Sequence, residues 1–246
     1  MPTEALAFYL DSPMQAWGVH SRFQRRETEA FPSKSGVLGM VAAALGVDKL
    51  DSDEHQRIAE LAKLRFTAIR MATEGTPAQR LADFHTIGGG WYPAWQADKK
   101  NLTAKYSVPR KAGDGSPFGV VVTQRTYLND ARFIVVLEGD ASLLAGIAEA
   151  IRNPIWGIWF GRKCCLPASP LLPSLGQDRK EAVRRLLDSL PEKSRTPGAM
   201  QEEPPSDESA SPNDPGAWFT NDEPLSFRSR QFRSRSQKRA TWLPED

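Results

Sequence analysis

Cysteine and histidine are scarce in this chain of 246 residues, and the scarcity removes whole classes of chemistry. The only two cysteines, Cys164 and Cys165, are neighbours. Adjacent cysteines rarely bridge, so no disulfide framework can staple the fold. With only three scattered histidines, the cysteines lack metal-ligand spacing, and neither a metal nor another cofactor is expected. Unpaired thiols suit a reducing compartment, and both are expected to be buried. No apolar run approaches the ~18 residues of a membrane span, and no basic segment precedes the first apolar residues as in a signal peptide. The expectation is a cytoplasmic protein with no membrane partner. The G-x-x-x-x-G-K-[ST] order of a phosphate-binding P-loop is also missing.

What is present is an ordinary soluble composition, 40% hydrophobic and 25% charged, in a chain long enough for one large domain or two small ones. The net charge of +2 hides a strong asymmetry. Gln201–Glu223 holds seven acidic residues and no basic one, and Pro224–Thr241 holds six basic residues and no acidic one. An acidic tract is followed directly by a basic one.

The chain is organised around FPSKSGVLGMVAAALG, Phe31–Gly46. Pro32 fixes the entry, Ser33 or Ser35 can cap, and Val37, Leu38, Met40, Val41, Ala44 and Leu45 recur at helical spacing until Gly46 stops the helix. The helix start, with its unpaired N–H groups, Lys34 and two hydroxyls, can hold a phosphate. Taken alone, the stretch reads first as an ordinary capped core helix.

The rest of the chain reads in order. Ala5–Leu10 is a strand apolar on both faces. The loop after it crowds Gln15, Trp17, His20, Arg22, Arg25 and Arg26 together. Such a set serves RNA through phosphate pairing and a flat stacking surface, or is a solvated loop with Trp17 in the core. Ser52–Lys63 reads as a helix, and Leu64–Met71 and Arg80–Thr86 as strands. A long segment rich in Gly, Pro, aromatics and lysine follows, best explained as a projecting hairpin that touches nucleic acid or protein. Val120–Arg125 and Arg132–Glu138 read as two strands of one hairpin. Ala141–Arg152 is a helix, Ile155–Phe160 a strand, and Arg179–Leu190 an amphipathic helix. Gly161 is expected to let backbone approach a ligand. Reduced to its frame, the order is β-α-β-β-α-β, an α+β, ferredoxin-like (RRM-like) plan. Residues 1–172 would form that domain, with a thumb excursion at about 88–119. Residues 173–246 would form an extension, with an acidic Pro-rich loop at 191–215 and a basic returning strand at 224–243.

Several stretches stand in one order: PMQAWG, FPSKSGVLGMVAAALG, DFHTIGG, TQRTYLNDARFIVVL, IWFGRKCCLPASPL and RQFRSR. Together they resemble the CasD subunit family of the type I-E CRISPR Cascade complex, in the repeat-associated mysterious protein superfamily. The resemblance runs from about Ala5 to Leu172 and resumes near Asp222–Arg235. It implies a non-catalytic subunit of an antiviral ribonucleoprotein that holds the 5′ handle of the CRISPR RNA. The implied partners are the crRNA, the large subunit and the first backbone subunit, with target DNA engaged only through the complex. A related branch that cuts precursor RNA supplies the alternative of a metal-independent endoribonuclease.

Three patches are expected to meet around one RNA segment. The first is Gln15, Trp17, His20, Arg22 and Arg26. The second is Ser33, Lys34 and Ser35. The third is Arg162 and Lys163 with Arg125 and Tyr127. Gln15 and His85 carry the donor and acceptor groups needed to read a base edge. If the chain were a nuclease, His85, Lys105 and Tyr106 would be its acid–base set.

Overall fold

Alternate side chains of the first strand, β1 (Thr3–Asp11), point to opposite faces of a sheet, and both faces are covered. Leu6, Phe8 and Leu10 enter one core, and Ala5, Ala7 and Tyr9 enter a second. The computed structural model describes residues 3–18, 24–72, 79–88, 113, 119–192, 196–204 and 216–242. Four helices are described: α1 (Lys34–Ala44), α2 (Glu54–Ala62), α3 (Ala141–Arg152) and α4 (Arg179–Ser189). The longer strands after β1 are β4 (Arg65–Met71), β5 (Gln79–Gly88), β6 (Val120–Asn129), β7 (Arg132–Asp140), β10 (Ala217–Ser226) and β11 (Gln231–Thr241). Shorter ones are β2 (Met14–Gln15), β3 (Arg25–Arg26), β8 (Ser174–Gly176) and β9 (Pro197–Glu202). No described helix is long and apolar enough to cross a membrane.

The result is a mixed α/β fold dominated by two sheets. The larger has seven strands in the order β10-β11-β9-β4-β7-β1-β8. At its centre β1 runs antiparallel to β7 over nine paired positions, Thr3↔Asp140 to Asp11↔Arg132. β4 is antiparallel to β7, and β8 to β1. Helices α1, α2 and α3 pack on the Leu6–Phe8–Leu10 face, and α4 covers the opposite face through Ala182, Val183 and Leu186. The smaller sheet is centred on β6, which pairs with β2, β3 and, over its whole length, β5.

Helices follow the sequence pattern closely because their apolar faces and caps are both local. The Ser33 hydroxyl caps α1 by accepting from the Gly36 N–H at 3.2 Å, and Gly46, at φ +68°, ends it. Asp140 and Asp178 cap α3 and α4 in the same way.

Strand pairing is less local, and several expectations are corrected. The strands at 120–125 and 132–138 do not form a hairpin with each other. β6 and β7 lie in different sheets, and the chain crosses between them through Asp130 at φ +49°. The hairpin partner of β6 is β5. Ile155–Phe160 is not a strand. Its first residues turn back over the end of α1, where the N–H groups of Ile155 and Trp156 donate to the Ala44 and Ala43 carbonyls. Helix-end carbonyls lack a partner within the helix; Ile155 supplies one for Ala44, and Trp156 adds a second donor to the Ala43 carbonyl, which also accepts from the Gly46 N–H. The strand that completes the edge beside β1 is β8 instead.

The expected loop at 191–215 contains β9, inserted between β4 and β11. The expected single strand at 224–243 is a β10–β11 hairpin turning at 227–230, and Leu243 lies outside the described residues. The seven-stranded sheet therefore runs unbroken across residue 172. Within the expected thumb, only Gly88, Gly113 and Gly119 are described; residues 89–112 and 114–118 lie outside. Of the two thiols only Cys165 is buried, and burial pushes it up to about 12, whereas Cys164 is exposed.

Gly161 has φ +89°, and a Cβ there would lie 1.7 Å from the Ala16 carbonyl oxygen. The close approach seen here is to the chain's own first loop, and it lets the Ala16 N–H donate to Phe160 O at 3.1 Å. Gly161→Ala is expected to destabilise the fold by about 2 kcal/mol or more, from the left-handed φ and the backbone clash together. The measurement is the urea midpoint, and an unchanged midpoint would show that this turn relaxes freely.

Candidate nucleic-acid interface

Of the residues singled out in the sequence, Lys34 is placed most unexpectedly. Its side chain is buried, with Nζ 2.9 Å from Glu203 Oε1 and 3.9 Å from Glu223 Oε2. Its backbone N–H, the first of α1, donates to Asp222 Oδ2 at 2.7 Å. Asp222 is itself gripped by Arg235, at 2.6 Å to Oδ1 and 3.0 Å to Oδ2. A carboxylate at a helix N-terminus is favoured by the partial positive charge there. The anion expected at this helix start is thus supplied by the chain itself, and Lys34 is not available to a phosphate.

Gln15 and Trp17 are also spent internally. The Gln15 amide donates to the carbonyls of Leu10 and Ala131, and its oxygen accepts from the Trp17 indole at 2.9 Å. Trp17 is fully buried, stacked on Phe160 with centroids 6.1 Å apart. The structure puts Trp17 in the core, as the second reading of this loop expects, and Gln15 with it, and leaves Arg25 and Arg26 of β3 exposed at the surface. His20 and Arg22 lie outside the described residues.

The remaining candidates gather. Arg26 on β3 is the register partner of Arg125 on β6. Arg162 lies over the Tyr127 ring, 4.5 Å from its centroid, and donates to the carbonyls of Thr126 at 3.0 Å and Arg26 at 2.6 Å. It therefore staples β3 to β6 as well as adding charge. Arg26 and Arg125 are thus paired across one ladder and Arg162 reaches the Arg26 carbonyl, with Asp83 opposite Arg125 and Glu27 next to Arg26 as the neighbouring acids. Burial and then the Cys164 thiol push the Tyr127 hydroxyl above the usual phenol range, so it stays a neutral donor. Lys163 is exposed and reaches over Trp159, away from this group.

Beside the arginines lies a cleft of about 280 Å³. Gly18, Arg26 and Glu27 line one side, Ser33, Ser35 and Gly36 the first turn of α1, and Gly161 and Arg162 the floor. Phe227 and Phe232 close it. Gly36 is needed for this shape, because a Cβ there would meet Trp17 at 2.9 Å. Such a cleft offers cations, hydroxyls and flat apolar rings within one small space, which suits a nucleotide. Glu27, Phe227 and Phe232 were missed in the sequence. The alternation of aromatics and arginines in RQFRSR was the available signal, but it was read as a strand needing burial.

His85 is half-exposed on β5, with Nδ1 3.7 Å from Asp83. It shares a ladder face with Arg125 and Tyr127, through the pairs His85↔Thr123, Asp83↔Arg125 and Leu81↔Tyr127. Lys105 and Tyr106 lie outside the described residues, as does most of the aromatic thumb segment. Among the described residues no cluster of His, Cys, Asp and Glu could hold a metal.

Removing one member of the buried ion cluster leaves its partners uncompensated, at a cost of roughly 3–5 kcal/mol. Lys34→Ala is therefore expected to lower the unfolding midpoint strongly while leaving the salt dependence of RNA binding unchanged. A flatter salt slope for folded Lys34→Ala protein would return Lys34 to the interface.

Four similarities to known proteins bear on this arrangement. Residues 5–238 match the family described as CRISPR-associated protein (Cas_Cas5). The chain is 27% identical over 171 residues to the CRISPR system Cascade subunit CasD of Escherichia coli (strain K12), covering 68% of each chain. A chain of a solved CRISPR RNA-guided surveillance complex superposes with a TM-score of 0.64 at 29% identity, over 96% of this chain and 89% of that one. The crystal structure of a Cas protein superposes with a TM-score of 0.58 at 25% identity, over 98% and 96%.

Proposed function

This chain belongs to the CRISPR-associated Cas5 family, and on that premise we propose that it is a non-catalytic subunit of a Cascade surveillance complex. In this reading it holds the 5′ handle of the crRNA. The observation that carries the reading is the convergence of Arg26, Arg125 and Arg162 beside one cleft walled by α1 and two phenylalanines. Cations beside a small polar-and-apolar cleft suit a bent single strand, with phosphates on guanidinium groups and an unstacked base between flat side chains. Arg26 and Arg125 are the phosphate ligands of this reading. Tyr127 and Arg162 support them, and His85 and Lys163 mark the outer ends of the track.

The central order β4-β7-β1-β8, all antiparallel, with α1 and α3 on one face, supports a ferredoxin-like frame. The large subunit and the first backbone subunit are the protein partners of this reading. Exposed Ile155, Trp156 and Leu166 offer apolar contact area for them. Target DNA is met only through the assembled complex. Soluble assembly of this kind belongs in the cytoplasm.

The test is incubation of the purified chain with labelled CRISPR repeat RNA in EDTA, with binding and cleavage read on the same samples. Binding without cleavage is expected. Its logarithm should fall linearly with the logarithm of salt, and Arg26→Ala and Arg125→Ala should each flatten that slope by about 0.7. Specific cutting without metal would overturn the non-catalytic reading and make His85→Ala the first variant to examine.

A further inference from the structure

We infer that the turn between β10 and β11 is itself a nucleic-acid-binding wall of the cleft, and that Glu54, on helix α2 and remote from the turn only in sequence, is the residue that positions it. The inference rests on the RNA-binding reading above and adds to it a contact element and a support.

Charge accounting points to the turn. Of the six basic residues in Pro224–Thr241, four are engaged within the protein. Arg235 grips Asp222, Arg233 pairs with Glu223, Lys238 lies 3.8 Å from Glu202, and Arg239 covers the Trp218 ring. The other two, Arg228 and Arg230, are exposed and have no acidic partner among the described residues. Both lie in the four-residue turn at 227–230, between the two phenylalanines that line the cleft. Phe227 and Phe232 meet edge to face, with centroids 6.5 Å apart, and are only half-buried. Phe227 rests against α1 at Gly39, where a Cβ would come within 3.5 Å of its ring. Flat rings in the cleft and uncommitted guanidinium groups on the same turn are the two parts of a single-strand site. The cleft, at about 280 Å³, is close to the lower end of small-molecule pockets, so it takes one nucleotide-sized group and not a run of bases.

The turn does not hold its own shape. The Glu54 side chain is buried, and its Oε1 accepts from the Phe227 N–H at 2.7 Å and the Arg228 N–H at 3.3 Å. Its Oε2 accepts from the Ser226 hydroxyl at 2.8 Å, and Ser226 Oγ in turn accepts from the Ser229 N–H at 3.2 Å. Three of the turn's N–H groups are thus gathered, directly or through Ser226, on one carboxylate. Arg230, at φ +53°, completes the reversal in a conformation that needs outside support. Glu54 does not line the cleft and meets its wall only through backbone N–H groups and Ser226, so its role is to position the turn.

The experiment measures repeat-RNA binding against salt for four variants of the full chain. Phe227→Leu keeps apolar packing on α1 but removes the flat face, and is expected to weaken binding by roughly five- to a hundred-fold. The double variant Arg228→Ala, Arg230→Ala should flatten the salt slope by about 1.4. Glu54→Ala should weaken binding and speed amide exchange at Phe227 and Arg228. Glu54→Gln, whose amide oxygen still accepts from those N–H groups, should restore much of both. Wild-type binding and slope in Phe227→Leu and in the arginine double variant would overturn the inference, even if Glu54→Ala fails to fold. So would released amides in Glu54→Ala with undiminished binding. Loss confined to Arg26→Ala and Arg125→Ala would leave the RNA-binding reading intact and reject only this wall. A wild-type chain that binds no repeat RNA would reject both.

Discussion

The Asp222 carboxylate is the point on which the architecture turns. One side of it accepts from the first N–H of α1, and both its oxygens are gripped by the Arg235 guanidinium. Lys34, Glu203 and Glu223 complete a largely buried group of charges. Buried ions rarely add net stability over apolar packing, but each becomes costly once its partner is gone. The group therefore acts as a key. It fixes the C-terminal hairpin against α1 in one arrangement, and the cation–π contact of Arg235 over Phe66 packs beside it. A second network repeats the device beneath β9, where Arg179 joins Glu138 and Glu202.

The cleft exists because of that closure. Its far wall is the turn that the hairpin carries, and its near wall is the first turn of α1. The helix start cannot be both the key's socket and a free phosphate site. The chain uses the N–H of Lys34 for the socket and leaves Ser33, Ser35 and Gly36 facing the cleft. Arg162 plays a comparable double part, tying β3 to β6 by two carbonyl bonds and leaving its charge at the floor. In a site built this way, support and recognition share residues, so charge removal has to be read beside stability.

Helices and the central strands were legible because the forces that form them are local. Ala141–Arg152 announces itself by its apolar spacing, and the two-sided apolar run of β1 marks a buried strand. The segment at 155–160 looked like a strand for the same apolar reason. Its fate was settled by the open carbonyls at the end of α1, which no window of sequence contains. β9 was hidden because Pro, Gly and acids dominate its neighbourhood, and only the β4 and β11 edges make it a strand. Among site residues, the cationic set was legible as a set, and Arg26, Arg125 and Arg162 do lie together. The division of labour within it was not. Whether Lys34 meets a phosphate or Glu203 depends on a contact spanning 169 positions.

That separation has a kinetic side. The bond from the α1 start to Asp222 closes a loop of 188 residues, and β9 can join β4 only after most of the chain has been made. Closing long loops is slow, and sheets paired far apart in sequence fold late. During synthesis the β1–β4–β7 centre can form first, while the α1 entry still presents Lys34 and an uncapped N–H. The β10–β11 hairpin then arrives as an internal clamp, so closing the buried ion cluster and completing the cleft become a single event.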